Sequence, residues 1–281
     1  MKSIYRILPL FIAVIMAITL LAAAGCTIDA GPTETRDDSF TVSGPITLVV
    51  TSENGWIEVS TGADDEVRVE ATLRGINRID YEVSQDGNTI TVEAEIDQGW
   101  FINNVGVDIT ITTPVNTDVE LETSNGMISL DGVEGTGTLK TSNGRIVLEN
   151  VKGDFDGRTS NGKVEVETME GNAFLRTSNG GLDLQEVTGE IDAETSNGGI
   201  SYSGDMIPGG DNRLETSNGN VNVELLGTPS VDLDASTSNG DVTSELPITA
   251  TTTSDEHLIG TIGNGEAGLY IRTSNGNVMI R

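Results

Sequence analysis

Apolar and polar residues alternate at a spacing of two along most of the chain after residue 40. The clearest series lies five and seven residues after a recurring threonine, as in Ile128 and Leu130. Successive side chains on a strand point to opposite faces, so this spacing predicts strands with one buried face. A second alternating stretch precedes each threonine, as in Val119 and Leu121, and predicts a second strand in each unit.

These strands belong to a repeated unit. The tetrapeptide Thr-Ser-Asn-Gly begins at Thr123, Thr141, Thr159, Thr177, Thr195, Thr216, Thr237 and Thr273, and a related sequence begins at Thr51. The intervals are 18 residues four times, 21 twice and 36 once. A fixed period of this kind is typical of stacked coils. Residues 123–281 are therefore predicted to form an all-β, parallel, β-helix-like solenoid with 18-residue coils.

The corners between strands carry their own pattern. Asn-Gly in the main motif predicts one corner with positive φ, and a glycine after a branched or thioether residue, as in Val133 and Gly135, predicts the opposite corner. Continued alternation places the threonine inward, the serine outward and the asparagine inward. The asparagines are then expected to form a hydrogen-bonded ladder inside the turn.

The irregular units and the N-terminal region are assigned separately. Extra residues predict loops at 204–212 and 246–267. Residues 40–122 keep the strand alternation without the period, and they predict a β-rich N-terminal cap that includes the first coils. Trp56, Trp100 and Phe101 are expected to pack in this cap, although an exposed aromatic cluster could also hold a sugar ring.

The first 26 residues predict an exported lipoprotein. Residues 1–25 form a basic start and an apolar run, as in a signal peptide, and Ala23-Ala24-Gly25 before Cys26 resembles the lipobox of bacterial lipoproteins. Acylation of Cys26, for example with palmitate, would hold the chain at a cell membrane, facing the extracellular or periplasmic side. Residues 26–39 then read as a lipidated tether. A retained membrane-spanning anchor and simple release remain the alternatives.

Charge and residue counts limit the chemistry. The chain has 44 acidic and 15 basic residues, for a net charge of −29, and removal of Lys2 and Arg6 would leave 13 − 44 = −31. Such a charge disfavours nucleic-acid binding. The single cysteine excludes an intrachain disulfide, and the single histidine, His257, which is expected in an exposed loop, excludes a multi-histidine metal site. We therefore assign no catalytic, cofactor-binding or metal-ligating residue.

One column of basic residues is the candidate binding site. Lys140, Arg158 and Arg176 each precede a repeat threonine, so they would stack on consecutive coils as a basic stripe on an acidic surface. This stripe could bind an anionic glycan or an envelope protein. The alternative is that it only forms exposed ion pairs with acids such as Glu122, Glu165 and Glu194.

Residues 107–130, VDITITTPVNTDVELETSNGMISL, and the repeats that follow resemble the bacterial β-strand-repeat family of putative adhesins, domain of unknown function 4097. The resemblance covers residues 40–281 and implies an envelope-associated β-solenoid without an established reaction. We expect a non-enzymatic surface protein for adhesion or ligand binding. The alternatives are an envelope scaffold or stress-response protein that binds another protein and, less favoured, a polysaccharide-cleaving enzyme.

Overall fold

Strands account for most of residues 32–97 and 105–281, which are the residues that this computed structural model describes. The N-terminal strands are β1 Thr33–Thr41, β2 Ile46–Asn54, β3 Ile57–Thr61, β4 Glu66–Arg74, β5 Ile79–Asp86, β6 Thr89–Ile96, β7 Gly106–Thr113 and β8 Thr117–Asn125. The regular coils continue with β9 Ile128–Asp131, β10 Gly137–Thr141, β11 Ile146–Lys152, β12 Phe155–Thr159, β13 Val164–Glu170, β14 Ala173–Thr177, β15 Leu182–Gly189, β16 Ile191–Thr195, β17 Ile200–Met206, β18 Asp211–Asn218 and β19 Val221–Leu225. The remaining strands are β20 Val231–Asn239, β21 Val242–Ser244, β22 Thr249–Thr253, β23 His257–Ile262, β24 Ala267–Asn275 and β25 Val278–Ile280.

The strands form two facing sheets, which we call sheet A and sheet B. Sheet A has the order β1-β4-β7-β3-β9-β11-β13-β15-β17-β19-β25-β21. Sheet B has the order β22-β23-β20-β24-β18-β16-β14-β12-β10-β8-β2-β6-β5. Each regular coil contributes one strand to each sheet, and neighbouring coils pair in parallel. The predicted parallel β-solenoid is confirmed.

The core lies between the sheets and consists of the predicted inward positions. Five residues after each threonine, the side chains are at most 8% exposed: Ile128, Ile146, Val164, Leu182, Ile200, Val221, Val242 and Val278. Tyr202 takes the place of a leucine or valine in the next column, and its hydroxyl donates to the Val187 carbonyl at 3.1 Å. Burial raises the pKa of Tyr202 well above its usual value.

The threonine of each motif joins one coil to the next. Thr159 is 7% exposed, and its hydroxyl donates to the Gly144 carbonyl of the preceding coil at 2.9 Å. The same oxygen accepts the Gly162 N–H at 3.1 Å. Because buried polar groups need partners, a hydroxyl that both donates and accepts fits this corner. The inward threonine and the outward serine are confirmed.

Close approach is common to the motif glycines from Gly126 onward, whereas only Gly240 and Gly276 among them have positive φ, of 154° and 159°. A Cβ on Gly162 would lie 1.6 Å from the Gly144 carbonyl oxygen, and every repeat from Gly126 onward has a similar clash. The described non-glycine residues with positive φ are Asn150, Thr168 and Glu186, so the prediction of positive φ for the motif asparagines was wrong. The corner requires a residue without a side chain because the coils touch there.

The asparagine ladder exists, but it faces outward. Each side-chain amide donates to the amide oxygen of the preceding coil, for example Asn161 Nδ2 to Asn143 Oδ1 at 2.8 Å. The ladder runs through Asn54, Asn125, Asn143, Asn161, Asn179, Asn197, Asn218, Asn275 and Asn239. These side chains are mostly exposed, so their predicted inward direction was wrong. The chain turns outward at the corner, which breaks the simple alternation.

The opposite corner needs glycine both because coils approach closely there and because, as predicted, the backbone has positive φ. Gly153 and Gly171 have φ of 118° and 134°, and a Cβ on either would meet the carbonyl oxygen of the preceding coil within 2.1 Å. Three residues earlier, Asn150, Thr168 and Glu186 have φ of 53°, 61° and 53°. Sheet A continues past this second column of left-handed residues, because Val151 and Lys152 still pair with Met169 and Glu170.

Antiparallel strands cover the N-terminal end of the stack. The coil made by β2 and β3 pairs in parallel with β8 and β9, while β1 and β4 extend sheet A and β5 extends sheet B in antiparallel register. Residues 33–39, which were assigned to the tether, instead belong to β1. The proposed boundary between residues 122 and 123 falls inside β8. Cys26 and residues 1–31 lie outside the described residues.

The C-terminal coil is inserted out of sequence order. Thr273 pairs with both Thr216 and Thr237, so β24 lies between β18 and β20, and β25 similarly separates β19 and β21. The predicted loop at 246–267 is largely a hairpin of β22 and β23, which extends sheet B. At 204–212 only the turn between Met206 and Asp211 lies outside strands. Within the described residues, no helix is long and apolar enough to cross a membrane.

Replacement of the corner glycine tests the close approach directly. In Gly180→Ala the new Cβ would lie 1.8 Å from the Gly162 carbonyl oxygen, so we expect a loss of about 3 kcal/mol or more of unfolding free energy. At about 2–4 °C per kcal/mol, the Tm should fall by at least about 6 °C.

The adjacent Gly181→Ala is the matched control. Its nearest contact would be 3.2 Å, to the Gly199 carbonyl oxygen, and the expected cost is under about 1 kcal/mol. Thermal unfolding by circular dichroism compares the two variants. Equal Tm values would show that close approach does not determine the glycine.

Candidate functional site

The basic stripe lies on the outer face of sheet B. Lys140 on β10 is the register partner of Arg158 on β12, which is the register partner of Arg176 on β14. These three positions are therefore about 4.7–4.9 Å apart from strand to strand. The register predicted from the repeat places the three residues correctly.

Carboxylates on the same face neutralise most of the stripe. Arg158 donates to both oxygens of Asp156 at 2.8 and 2.6 Å, while Arg176 contacts Asp192 at 2.5 Å and Glu194 at 3.1 Å. Of the predicted partners, only Glu194 pairs with the stripe. Asp156 and Asp192 were missed, although a spacing of two along a strand is enough to place Asp156 beside Arg158.

Lys140 is the exception within the stripe. No ion pair in residues 32–97 and 105–281 involves Lys140, whose register neighbours are Glu122 and Arg158. A shallow cavity of about 270 Å³ lies here, lined by Lys140, Arg158, Glu122 and the hydroxyl-bearing residues of three coils. Glu165, another predicted partner, is on sheet A and pairs with Arg145 and Lys163. The stripe thus offers one ammonium group and a network of paired guanidinium groups.

Phe174 is an exposed aromatic residue beside the stripe. It lies two residues before Arg176 on β14, between the register partners Asp156 and Asp192, and it is 41% exposed. Ala173 and Leu175 fill the inward positions of β14, so Phe174 between them is an apolar residue at an outward position. That is the signal in the sequence. This signal was overlooked in the sequence.

Two shallow grooves meet at Phe174. One, of about 380 Å³, extends toward Asp118 and Thr136, and the other, of about 440 Å³, extends toward Tyr270. In the second groove the guanidinium of Arg213 lies 5.5 Å from the centre of the Tyr270 ring. Glu215 hydrogen-bonds Arg213 and raises its pKa. Carboxylates line both grooves, among them Asp154 and Asp156 in the first and Asp192 and Asp232 in the second. Aromatic surfaces with fixed polar groups between them are suited to ligand binding.

Two other predicted residues differ from expectation. His257 begins β23 rather than lying in a loop, and its Nε2 is 2.9 Å from Asp234 Oδ1. Trp56 is 43% exposed, so the expectation that it packs in the cap was wrong, and Trp100 and Phe101 lie outside the described residues.

Among residues 32–97 and 105–281, no group of three or more His, Cys, Asp or Glu residues is arranged to hold a metal ion.

The fold is a two-sheet β-solenoid with shallow grooves on the outer face of sheet B. The family Toastrack DUF4097 matches residues 46–281, and the chain belongs to this family. The family resemblance seen in the sequence is therefore confirmed. A comparison with curated proteins finds no match.

A search of solved structures finds one that shares the architecture and others that are less similar. A structure named a putative adhesin, from Bacteroides fragilis, is 14% identical with a TM-score of 0.52, and the match covers 89% of this chain and 97% of that one. A putative lipid binding protein from Parabacteroides distasonis is 12% identical (TM-score 0.44; 89% and 98% covered). A putative adhesin from the same organism is 10% identical (TM-score 0.37; 88% and 97% covered). At these identities, the likeness to the first structure shows the fold alone.

The ion pairs of the stripe should contribute little to stability. Arg158 and Asp156 are 60% and 30% exposed, and such pairs are typically worth under about 1 kcal/mol. A double-mutant cycle with Arg158→Ala and Asp156→Ala, measured by urea unfolding, should therefore give a coupling energy below about 1 kcal/mol. A coupling of several kcal/mol would mean that the stripe is a structural element.

Proposed function

We propose that this chain is a non-enzymatic lipoprotein of the cell envelope that binds a glycan through the outer face of sheet B. The chain is exported, and a lipid on Cys26 anchors it to the cell membrane on its extracellular or periplasmic side. The family and the name of the Bacteroides fragilis structure support adhesion or binding as the general role. The glycan, the lipid and the location are our own inferences from the sequence and the geometry.

The position of Phe174 beside the stripe carries the proposal. An exposed aromatic ring offers an apolar platform for one face of a sugar ring. Arg158 is held in place by Asp156 through Nε and Nη2, so its remaining N–H groups are already oriented to meet hydroxyl groups. Arg176 is more fully engaged, because its Nη1 also donates to the carbonyls of Leu175 and Asp192. Lys140 supplies an ammonium group for a carboxylate or sulfate of an acidic glycan.

The shape of the solenoid favours an extended ligand. Neighbouring coils repeat every 4.7–4.9 Å or so, and Lys140 and Phe174 lie two strands apart, about 10 Å. A chain of sugar rings that crosses the strands can therefore contact one coil after another. A small compact ligand would use only part of this surface.

A protein partner is the second candidate, as expected for an envelope scaffold or stress-response protein. The turn between β17 and β18 presents Ile207, which is 38% exposed. This turn interrupts the regular coils, and loops on a repeat scaffold often carry binding contacts. Ile207→Ala should leave glycan binding unchanged and reduce capture of an envelope protein.

The glycan site is tested by removing its cations. We expect Lys140→Ala/Arg158→Ala/Arg176→Ala and Phe174→Ala each to weaken binding to an acidic polysaccharide at least about tenfold, or about 1.4 kcal/mol. Titration calorimetry or a glycan array with the purified protein measures the loss. Increasing salt should weaken the binding of the polysaccharide by the parent protein, because Lys140 contributes charge.

A triple variant elsewhere controls for net charge. Arg68→Ala/Lys152→Ala/Arg281→Ala removes three cations that also form exposed ion pairs, but none is in the stripe. It should bind like the parent. Equal weakening by both triple variants, or no binding of the parent to any glycan, would contradict the glycan proposal and favour the protein partner.

The lipid anchor has its own test. Cys26→Ser removes the thiol that would be acylated, so the protein should lose a metabolically incorporated palmitate analogue and leave the membrane fraction. Mass spectrometry of the parent N-terminus identifies the modification. A parent that carries no lipid, or a Cys26→Ser variant that stays in the membrane fraction, would contradict the anchor.

A further inference from the structure

Two exposed apolar side chains occupy neighbouring coils at the N-terminal end of sheet A. Trp56 is 43% exposed and Met127 is 39% exposed. Each residue directly follows a corner glycine, and the Ile57 N–H donates to the Met127 carbonyl at 2.9 Å, which fixes their coils side by side. A tryptophan combines an apolar body with one N–H donor, so its side chain is suited to the boundary between lipid and water.

The same column becomes polar farther along the stack. The next two positions are Arg145 and Lys163, and both contact Glu165 at 3.0 and 2.8 Å. Asp183 also contacts Lys163, and hydrogen bonding to Glu165 raises the pKa of Lys163. These cations are therefore neutralised, and the apolar part of the column is confined to Trp56 and Met127. Attraction to anionic lipid headgroups does not explain the patch.

The chain enters the fold close to this patch. The Pro32 carbonyl accepts the N–H groups of Gly75 and Ile76, so residue 32 is held against the end of β4. From β1 the order of sheet A is β4, β7 and β3, and Trp56 immediately precedes β3. Trp56 thus lies three strand spacings, about 14 Å, from the edge strand β1.

The chain between the predicted lipid and the fold is short. Cys26 is six residues before Pro32, and six residues reach at most about 22 Å even when fully extended. A lipid on Cys26 would therefore keep the β1 edge of sheet A next to the bilayer. The exposed apolar pair lies at this same end of the molecule.

We propose that Trp56 and Met127 rest in the interface of the bilayer that holds the Cys26 lipid, so that the solenoid is tilted with the corner before β3 and β9, near its N-terminal end, against the membrane. This inference depends on the lipid anchor proposed above. Glu58, two residues from Trp56, is exposed, so only the corner enters the lipid. The glycan-binding grooves would then project away from the membrane surface. Neutral phosphatidylcholine is sufficient for this contact, because the nearby cations are paired.

Fluorescence quenching tests the contact. The full lipidated chain with Trp100→Phe has Trp56 as its sole tryptophan, and it is reconstituted into phosphatidylcholine vesicles with bromine near the headgroup end of the acyl chains. Trp56 should lose most of its emission relative to vesicles without bromine, and in vesicles without bromine its emission should be shifted to the blue relative to the unlipidated protein in solution. Addition of anionic lipid should not increase the quenching.

A tryptophan at the far end is the matched control. Met279 is 41% exposed on the same sheet and is seven strand spacings, roughly 33 Å, from Glu58. In Trp56→Phe/Trp100→Phe/Met279→Trp the new tryptophan should not be quenched. Thermal unfolding in detergent verifies that both variants are folded.

Each other outcome overturns the inference. Unquenched Trp56 in protein that floats with the vesicles would show that the anchor exists without the contact. Equal quenching at both ends would show that the solenoid lies flat on the membrane. Protein that carries no lipid and does not float would remove the anchor, and with it the contact, while leaving the glycan proposal unaffected.

Discussion

The corner where the glycine of one coil touches the glycine of the next governs this structure. The carbonyl oxygen of Gly144 occupies the space where a side chain of Gly162 would be, and the hydroxyl of Thr159 donates to the same oxygen. One carbonyl therefore sets both the distance and the register between neighbouring coils. Because the corner fixes the backbone, the strands that follow it align residue by residue.

Because the register is fixed, residues at the same position of successive repeats form columns on the surface. A residue type that recurs every 18 positions becomes a line of side chains perpendicular to the strands, as for the asparagine ladder and the basic stripe. Each coil can change its outward residues without disturbing the core, because inward and outward positions alternate. Such a scaffold acquires a binding surface by changing outward residues only, and Phe174 is one such change.

The sequence predicts what is periodic and misses what interrupts the period. The inward positions of Ile128 and its equivalents follow from a spacing of two, and the coil follows from the spacing of the motif. The direction of Asn125 could not be predicted, because the corner leaves the strand and the alternation ends there. The ion pair between Arg158 and Asp156 could have been found from their spacing, whereas the contact of Arg176 with Asp192 needs the register between strands. The position of Thr273 between Thr216 and Thr237 has no local signal, because all three share the same motif and only long-range packing selects their order.

The inserted coil also has a consequence for synthesis on the ribosome. The chain is made from the N-terminus, and the coils from β8 to β19 can stack in the order in which they emerge. β18 and β20 are synthesised before β24, and each has an edge that only β24 fills in the finished protein. The edges of β18 and β20 carry the same motif, so they can pair with each other until residues 267–281 have been made. The arrival of β24 must then displace that pairing or come before it forms. The completion of this fold is therefore tied to the delivery of its last coil and cannot proceed entirely in the order of translation.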